Sequence, residues 1–207
     1  RTRGEHRRHL LLPSRDDGQT WSAPIDIGRQ IAGHDDTFVP GPGVGIQTTT
    51  GRLVIPGYTC NEPDFKTEMG LFSRVIYSDD HGQSWRMGKP VSADTDESQL
   101  IELADGRLML NMRQGTGRSC RAVAISKDGG ESWGPVYWDK TLNECPCQAS
   151  FVRYSRADRE GRSRILFANP DNAGAHYGAQ ERTRMTVRIS YDEARTWPVK
   201  KLIHAGP

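Results

Sequence analysis

The apolar positions of this chain fall in short runs, not in long periodic stretches. Leu10-Leu-Leu12, Arg52-Leu-Val-Ile-Pro56, Arg74-Val-Ile-Tyr77, Arg107-Leu-Met-Leu-Asn111, Ala122-Val-Ala-Ile125, Ile165-Leu-Phe-Ala168 and Thr186-Val-Arg-Ile189 are separated by turn formers such as Asp105-Gly106. Runs of this length, rich in β-branched and bulky aliphatic residues, predict strands. No stretch holds the 3.6-residue helical period over several turns, so the pattern predicts an all-β fold.

Four of these runs lead into copies of one motif, S-x-D-x-G-x-[ST]-W. They are Ser14-Arg-Asp-Asp-Gly-Gln-Thr-Trp21, Ser78-Asp-Asp-His-Gly-Gln-Ser-Trp85, Ser126-Lys-Asp-Gly-Gly-Glu-Ser-Trp133 and Ser190-Tyr-Asp-Glu-Ala-Arg-Thr-Trp197, starting 64, 48 and 64 residues apart. That spacing suits a four-stranded blade with loops of variable length. Within each copy the Asp (Asp16, Asp80, Asp128, Asp192) is placed to fold back on backbone N–H groups of its own turn, and Gly18, Gly82 and Gly130 supply positive φ. Trp21, Trp85, Trp133 and Trp197 are then expected between adjacent sheets, each with an indole N–H that needs a partner. Ala194 replaces the glycine in the fourth copy, which predicts a shifted or looser turn there.

Composition narrows the function classes. Mean hydropathy is −0.69, and no apolar run nears the roughly 18 residues of a membrane span. Glycine and proline are abundant, with 22 and 12 residues, and five Trp, six Tyr and five Phe argue for a folded, turn-rich domain. A net charge of +2 from 28 basic and 26 acidic residues spread along the chain leaves no basic stripe for nucleic acid. Of Cys60, Cys120, Cys145 and Cys147, none form a C-x-x-C pair. Cys145-Pro146-Cys147 is too tight for ordinary metal-ligand or disulfide spacing, so all four are expected as buried thiols. His6, His9, His34, His81, His176 and His204 show no metal spacing and are expected to be structural or superficial. Nothing in the composition calls for a metal or organic cofactor.

The repeat resembles the Asp-box, or BNR repeat, of the sialidase (neuraminidase) family, whose members are six-bladed β-propellers. The resemblance implies a six-bladed β-propeller fold, of which residues 1–207 form one partial domain of about four blades. Asp-boxes lie away from the catalytic centre in that family and also occur in non-catalytic propellers, so they speak to fold rather than activity. Other segments carry more. Pro40-Gly-Pro-Gly-Val-Gly-Ile-Gln47 followed by Gly51-Arg-Leu-Val-Ile-Pro56 is similar to a family stretch that comes after the second Asp-box, which implies that the chain covers approximately blades two to five. Asp96-Glu97-Ser98-Gln99, Glu102-Leu-Ala-Asp-Gly106 and Leu110-Asn-Met-Arg113 resemble the family pattern E-x-Q…EL-x-DG…LN-x-R. Phe167-Ala-Asn-Pro170 and Arg182-Thr-Arg-Met-Thr-Val-Arg188 resemble FSNP…R-x-x-[LM]-T-[VI]-R. Cys147-Gln-Ala-Ser150 also resembles a family segment, without an assigned role.

By this resemblance Glu97 is the partner of a catalytic Tyr, and Arg113 and Arg182 belong to an arginine triad that grips the substrate carboxylate; Arg184 is the competitor for the latter place. Such chemistry suits a sialic acid, whose anomeric carbon bears a carboxylate that guanidinium groups can hold through paired, charge-assisted hydrogen bonds. A carboxylate nucleophile would be repelled there, and sialidases use Tyr, with Glu taking its proton and an Asp serving the leaving group. The expected substrates are sialylated glycans, from which an exo-α-sialidase in a secreted or periplasmic setting releases terminal sialic acid. The family's Tyr follows a Gly-Pro like Gly206-Pro207, while its first triad Arg and acid Asp belong to the first blade, so residues 1–207 alone are expected to be inactive. Two other readings stand beside this one: a non-catalytic Asp-box propeller for carbohydrate or protein binding, and a glycosidase of other specificity using paired carboxylates. An open ring also exposes edge strands that invite self-association.

Overall fold

The computed structural model describes residues 8–31, 38–60, 70–91, 94–157, 161–172 and 182–206; His6, His34, His176 and Pro207 lie outside them. Among the described residues the strands form four antiparallel sheets. The first is the hairpin β1 (Leu10–Leu11) and β2 (Ile25–Asp26), followed by a single helical turn, α1 (Gly28–Ile31), that the apolar pattern does not reveal. In the second sheet β3 (Val39–Pro40) and β4 (Ile46–Gln47) both pair with β5 (Leu53–Cys60), which continues through β6 (Leu71–Ser78) to β7 (Arg86–Met87). The third is a meander of β8 (Thr95–Glu102), β9 (Leu108–Gln114), β10 (Cys120–Ser126) and β11 (Tyr137–Asn143). The fourth repeats it with β12 (Ser150–Ser155), β13 (Arg164–Pro170), β14 (Met185–Ser190) and β15 (Val199–His204). The sheets do not close into a ring.

Strand alternation explains how the sheets stack. Successive side chains point to opposite faces, and in the third sheet both faces are apolar. Leu100, Leu108, Leu110, Met112, Ala122 and Ala124 pack against Val54, Val75 and Tyr77 of the second sheet. The residues between them, Ile101, Met109 and Val123, pack against Phe151, Ile165 and Phe167 of the fourth. A sheet sandwiched on both sides buries near-continuous apolar runs, which is why Leu108–Met112 and Cys120–Ala124 are buried throughout.

The four Asp-box turns each join the last two strands of their sheet and share one hydrogen-bond scheme. The N–H groups of Thr20, Ser84, Ser132 and Thr196 donate to the carboxylates of Asp16, Asp80, Asp128 and Asp192 at 2.8–2.9 Å. The N–H of Gly18, Gly82, Gly130 and Ala194 donates to the Oγ of the leading Ser at 2.8–2.9 Å. The fourth turn is therefore neither shifted nor looser, contrary to the expectation from Ala194. Ala194 itself takes the left-handed conformation, with φ of 61°, where Gly18, Gly82 and Gly130 lie at 83°, 85° and 96°. Its Cβ makes that conformation strained, and the Ser190 and Asp192 hydrogen bonds hold it there.

Three of the four Asp-box Trp residues pack toward the sheet before their own. Trp85 is 4% exposed, within the core between the first two sheets, and its Nε1 donates to Gly82 O at 3.1 Å. Trp133 packs against the next core, and Trp197 lies on Phe151 and Phe167 with Nε1 donating to Asp139 Oδ2 at 3.2 Å. Trp21 departs from the expected burial: it is 62% exposed, because no described sheet precedes the β1–β2 hairpin to cover it. Cys120, Cys145 and Cys147 are buried thiols, whereas Cys60, at the end of β5, is only half-buried.

Candidate active site

Glu97 and Arg113 sit at the end of the third sheet opposite its Asp-box. β8 starts there and β9 finishes there, with Thr95 opposite Gln114 and Ser98 opposite Met112. Between those two pairs the register shifts, so Asp96 and Glu97 occupy a β-bulge. A bulge breaks the strict alternation and re-aims side chains. Here it brings the Glu97 carboxylate onto Arg113, whose Nη1 donates to Glu97 Oε2 at 2.7 Å. Asp96, 7% exposed, lies on the other side of the guanidinium, its Oδ2 3.6 Å from Arg113 Nε. Burial pushes the Asp96 carboxyl above its ordinary value, with the Arg113 charge pulling the other way.

The loop between β3 and β4 is fastened to the same inner edge. Gln99 Nε2 donates to Val44 O at 2.8 Å, and Val44 N–H donates to Gln99 Oε1 at 3.2 Å. This closure demands the glycines of the Pro40–Gln47 stretch: a Cβ at Gly43 would lie 2.3 Å from Gln99 Oε1 and 3.1 Å from Ser98 O. The Gln of the E-x-Q pattern thus anchors β8 to the loop between β3 and β4, two residues from Glu97.

Behind the Glu97–Arg113 pair lies a second, fully buried ion pair. Arg121 Nη1 donates to Glu144 Oε1 at 2.7 Å and to Cys147 O at 3.1 Å, and its Nε donates to Asn111 Oδ1 at 2.7 Å. Burial pushes the Glu144 carboxyl up to about 7, against the opposing charge of Arg121. Neither residue stands out from sequence reasoning. The available signals were an Arg inside the apolar run Cys120–Ile125 and a Glu directly before Cys145-Pro146-Cys147, both of which mimic surface charge.

Arg182 belongs to the segment before β14, at the same end of the neighbouring sheet. It is exposed, and its Nη2 donates to Pro146 O at 3.1 Å. The hydrogen bonds therefore join Glu97 directly to Arg113, whereas Arg182 is seated on the Cys145–Cys147 bend, whose next carbonyl holds Arg121. Arg184 takes positive φ, at 60°, and its backbone carbonyl accepts from Asp171 N–H and Thr186 Oγ1. Among the described residues no cluster of His, Cys, Asp or Glu could hold a metal ion, and no helix is long and apolar enough to cross a membrane.

A cleft of about 400 Å³ lies among β4, β8 and β12, lined by Gln47, Gln99, Glu102, Phe151, Arg153 and Tyr154 among others. Glu97, Arg113 and Arg182 do not line it. Its acidic group, Glu102, accepts from Thr49 N–H, Thr49 Oγ1 and Arg156, so it serves to tie strands together.

The model of the BNR repeat-like domain matches residues 2–207. The chain belongs to the BNR repeat-like domain family. A sialidase of Bacteroides fragilis is 36% identical over 191 residues, covering 91% of this chain and 33% of that protein. A sialidase of Micromonospora viridifaciens is 35% identical over 205 residues, covering 95% of this chain and 30% of that protein. The solved Hadza microbial sialidase Hz136 superposes with a TM-score of 0.82 at 33% identity, covering 96% of this chain and 37% of that one. This member of the BNR family therefore spans about a third of the length of the relatives it matches, and its open stack of antiparallel sheets is part of a sialidase-type β-propeller.

Proposed function

We propose that these residues are the middle blades, approximately two to five, of an exo-α-sialidase that releases terminal sialic acid from glycoconjugates. The observation that carries the reading is the Glu97–Arg113 pair, set by a bulge at the inner strand of a propeller sheet and facing away from the Asp-box end. In this reading Arg113 and Arg182 bind the sialic acid carboxylate through charge-assisted hydrogen bonds. Glu97, held in place by Arg113, takes the proton of the Tyr nucleophile as it attacks the anomeric carbon. Nucleophile, acid and third arginine come from blades outside these 207 residues, so turnover belongs to the whole ring.

The test is a fluorogenic sialoside assay on the full-length protein. Removing a proton acceptor lowers kcat by about 100- to 10,000-fold, the outcome expected for Glu97→Ala. Arg113→Ala and Arg182→Ala each lose a charged contact and are expected to weaken binding roughly 10- to 100-fold, seen chiefly in KM. A folded full-length protein that neither cleaves the sialoside nor binds sialic acid would instead be an Asp-box propeller used for binding.

A further inference from the structure

The connection from β11 to β12 holds two thiols that the sialidase chemistry does not use. Two residues is a short span for a disulfide, but the chain bends at Pro146 and Cys147, and the bend brings Cys145 Sγ to 3.6 Å from Cys147 Sγ. Both side chains are buried, at 2% and 6% exposure. The hydrogen bond from Cys147 holds the Cys145 thiol below its ordinary pKa, and the Arg182 charge acts in the same direction; the same contact and burial push Cys147 up. One sulfur is thus disposed to act as thiolate while the other keeps its proton.

We propose that Cys145 and Cys147 form a reversible modification site, a dithiol that hydrogen peroxide closes to a disulfide and a thiol reductant reopens. The Cys145 thiolate attacks one peroxide oxygen, the O–O bond breaks, and a sulfenic acid forms with release of hydroxide, which takes up a proton as water. Cys147 sulfur then attacks the Cys145 sulfur, its proton leaves with the departing hydroxyl, and a second water is released. Two thiols lose two electrons in all, and one peroxide becomes two waters. Burial selects the oxidant, since a molecule the size of peroxide reaches sulfurs that larger disulfides do not. Neither other cysteine shares this setting: Cys60 is half-buried in a strand, and burial pushes the Cys120 thiol up.

Closing the S–S bond draws the sulfurs together and twists the bend whose carbonyls carry Arg182 and Arg121. The consequence for Arg182 rests on the sialidase reading; the disulfide does not. Peroxide treatment followed by alkylation and tryptic mapping tests the latter. The peptide from Thr141 to Arg153 is expected to lose about 2 Da and to resist alkylation until reduced, in wild type and in Cys120→Ser, but not in Cys145→Ser. Alkylation of both thiols after peroxide, a disulfide that includes Cys120, or a sulfinic acid with no disulfide would each overturn the proposal. On the full-length protein, oxidation is expected to raise KM for the sialoside reversibly. Turnover that is absent even after reduction strikes the sialidase reading and leaves the mapping result intact, while a disulfide without a KM change removes only the link to Arg182.

Discussion

At the scale of single residues, burial separates two ion pairs that look alike in sequence. Glu97 and Arg113 keep 26% and 15% of their side chains exposed, whereas Glu144 and Arg121 keep 0% and 1%. Water still reaches the partly exposed pair and limits what breaking it costs, but breaking the buried one strands a charge away from water at a cost of about 3–5 kcal/mol. Arg121→Met is therefore expected to lower unfolding stability by that amount, read from the urea midpoint at constant slope. Arg121→Met combined with Glu144→Leu is expected to recover much of the loss, because no unpaired charge remains. Additive losses in the double variant would mean that the pair's hydrogen bonds to Asn111 and Cys147, rather than its charges, hold this end of the sheets together.

At the scale of the element, the Asp-box turn lends itself to two measurements. Trp85 and Trp21 occupy the same motif position with opposite burial. Trp85→Ala is expected to cost about 3–5 kcal/mol, as for a buried aromatic, and Trp21→Ala less than about 0.5 kcal/mol, as for a surface site. Equal costs would mean that Trp21 is covered in solution. The second measurement is acid stability. The Ser84 hydroxyl and N–H hold Asp80 down from 3.8 to about 2, and at Asp128 the bonds from Ser132 outweigh an opposing burial effect to give about 2. A carboxyl whose folded pKa is depressed contributes stability that is complete above its unfolded value and lost as pH falls through the folded one. Stability is thus expected to fall from about pH 4 to pH 2, and the pair Asp80→Asn with Asp128→Asn to lessen that fall. An unchanged acid limb would assign it to other carboxylates.

The same elements mark what could be read from the chain directly. Strands and boxes were legible because their signals are local: alternation and short apolar runs for the strands, and a Ser, an Asp and a positive-φ residue within five positions for the turns. The bulge at Asp96–Glu97 was not, since it is set by register against β9. Ala194 misled because cross-turn hydrogen bonds outweigh the strain of one Cβ. Glu97 and Arg113 were singled out as candidates through family motifs, while Arg121 and Glu144 carry no local mark; only the folded sheets show that a charge in each segment points inward to the other.

At the scale of the whole molecule, the stacking rule says what the last sheet lacks. Ile46, Val54 and Tyr77 form a cross-strand row on the second sheet that the third sheet covers, and Ile101, Met109 and Ile125 form the next row, covered by the fourth. The corresponding row on the fourth sheet is Val152, Leu166, Ile189 and Val199, each paired with the next across β12 to β15. No described sheet covers it: Val152 is 38% exposed, nearby Tyr154 71% and Ile203 61%. In a complete propeller the following blade would seat there; in the 207-residue chain alone, a second copy is the readiest cover, helped by the unpaired edge of β15. We therefore expect the isolated chain to sediment above its monomer mass of 23.1 kDa in a concentration-dependent way. Val152→Lys with Ile189→Lys should shift it back toward monomer, because a charged row cannot be buried against its own copy without desolvating four ammonium groups. Monomeric behaviour of the unmodified chain across concentrations would show that this face is tolerated in water and would remove self-association from the account.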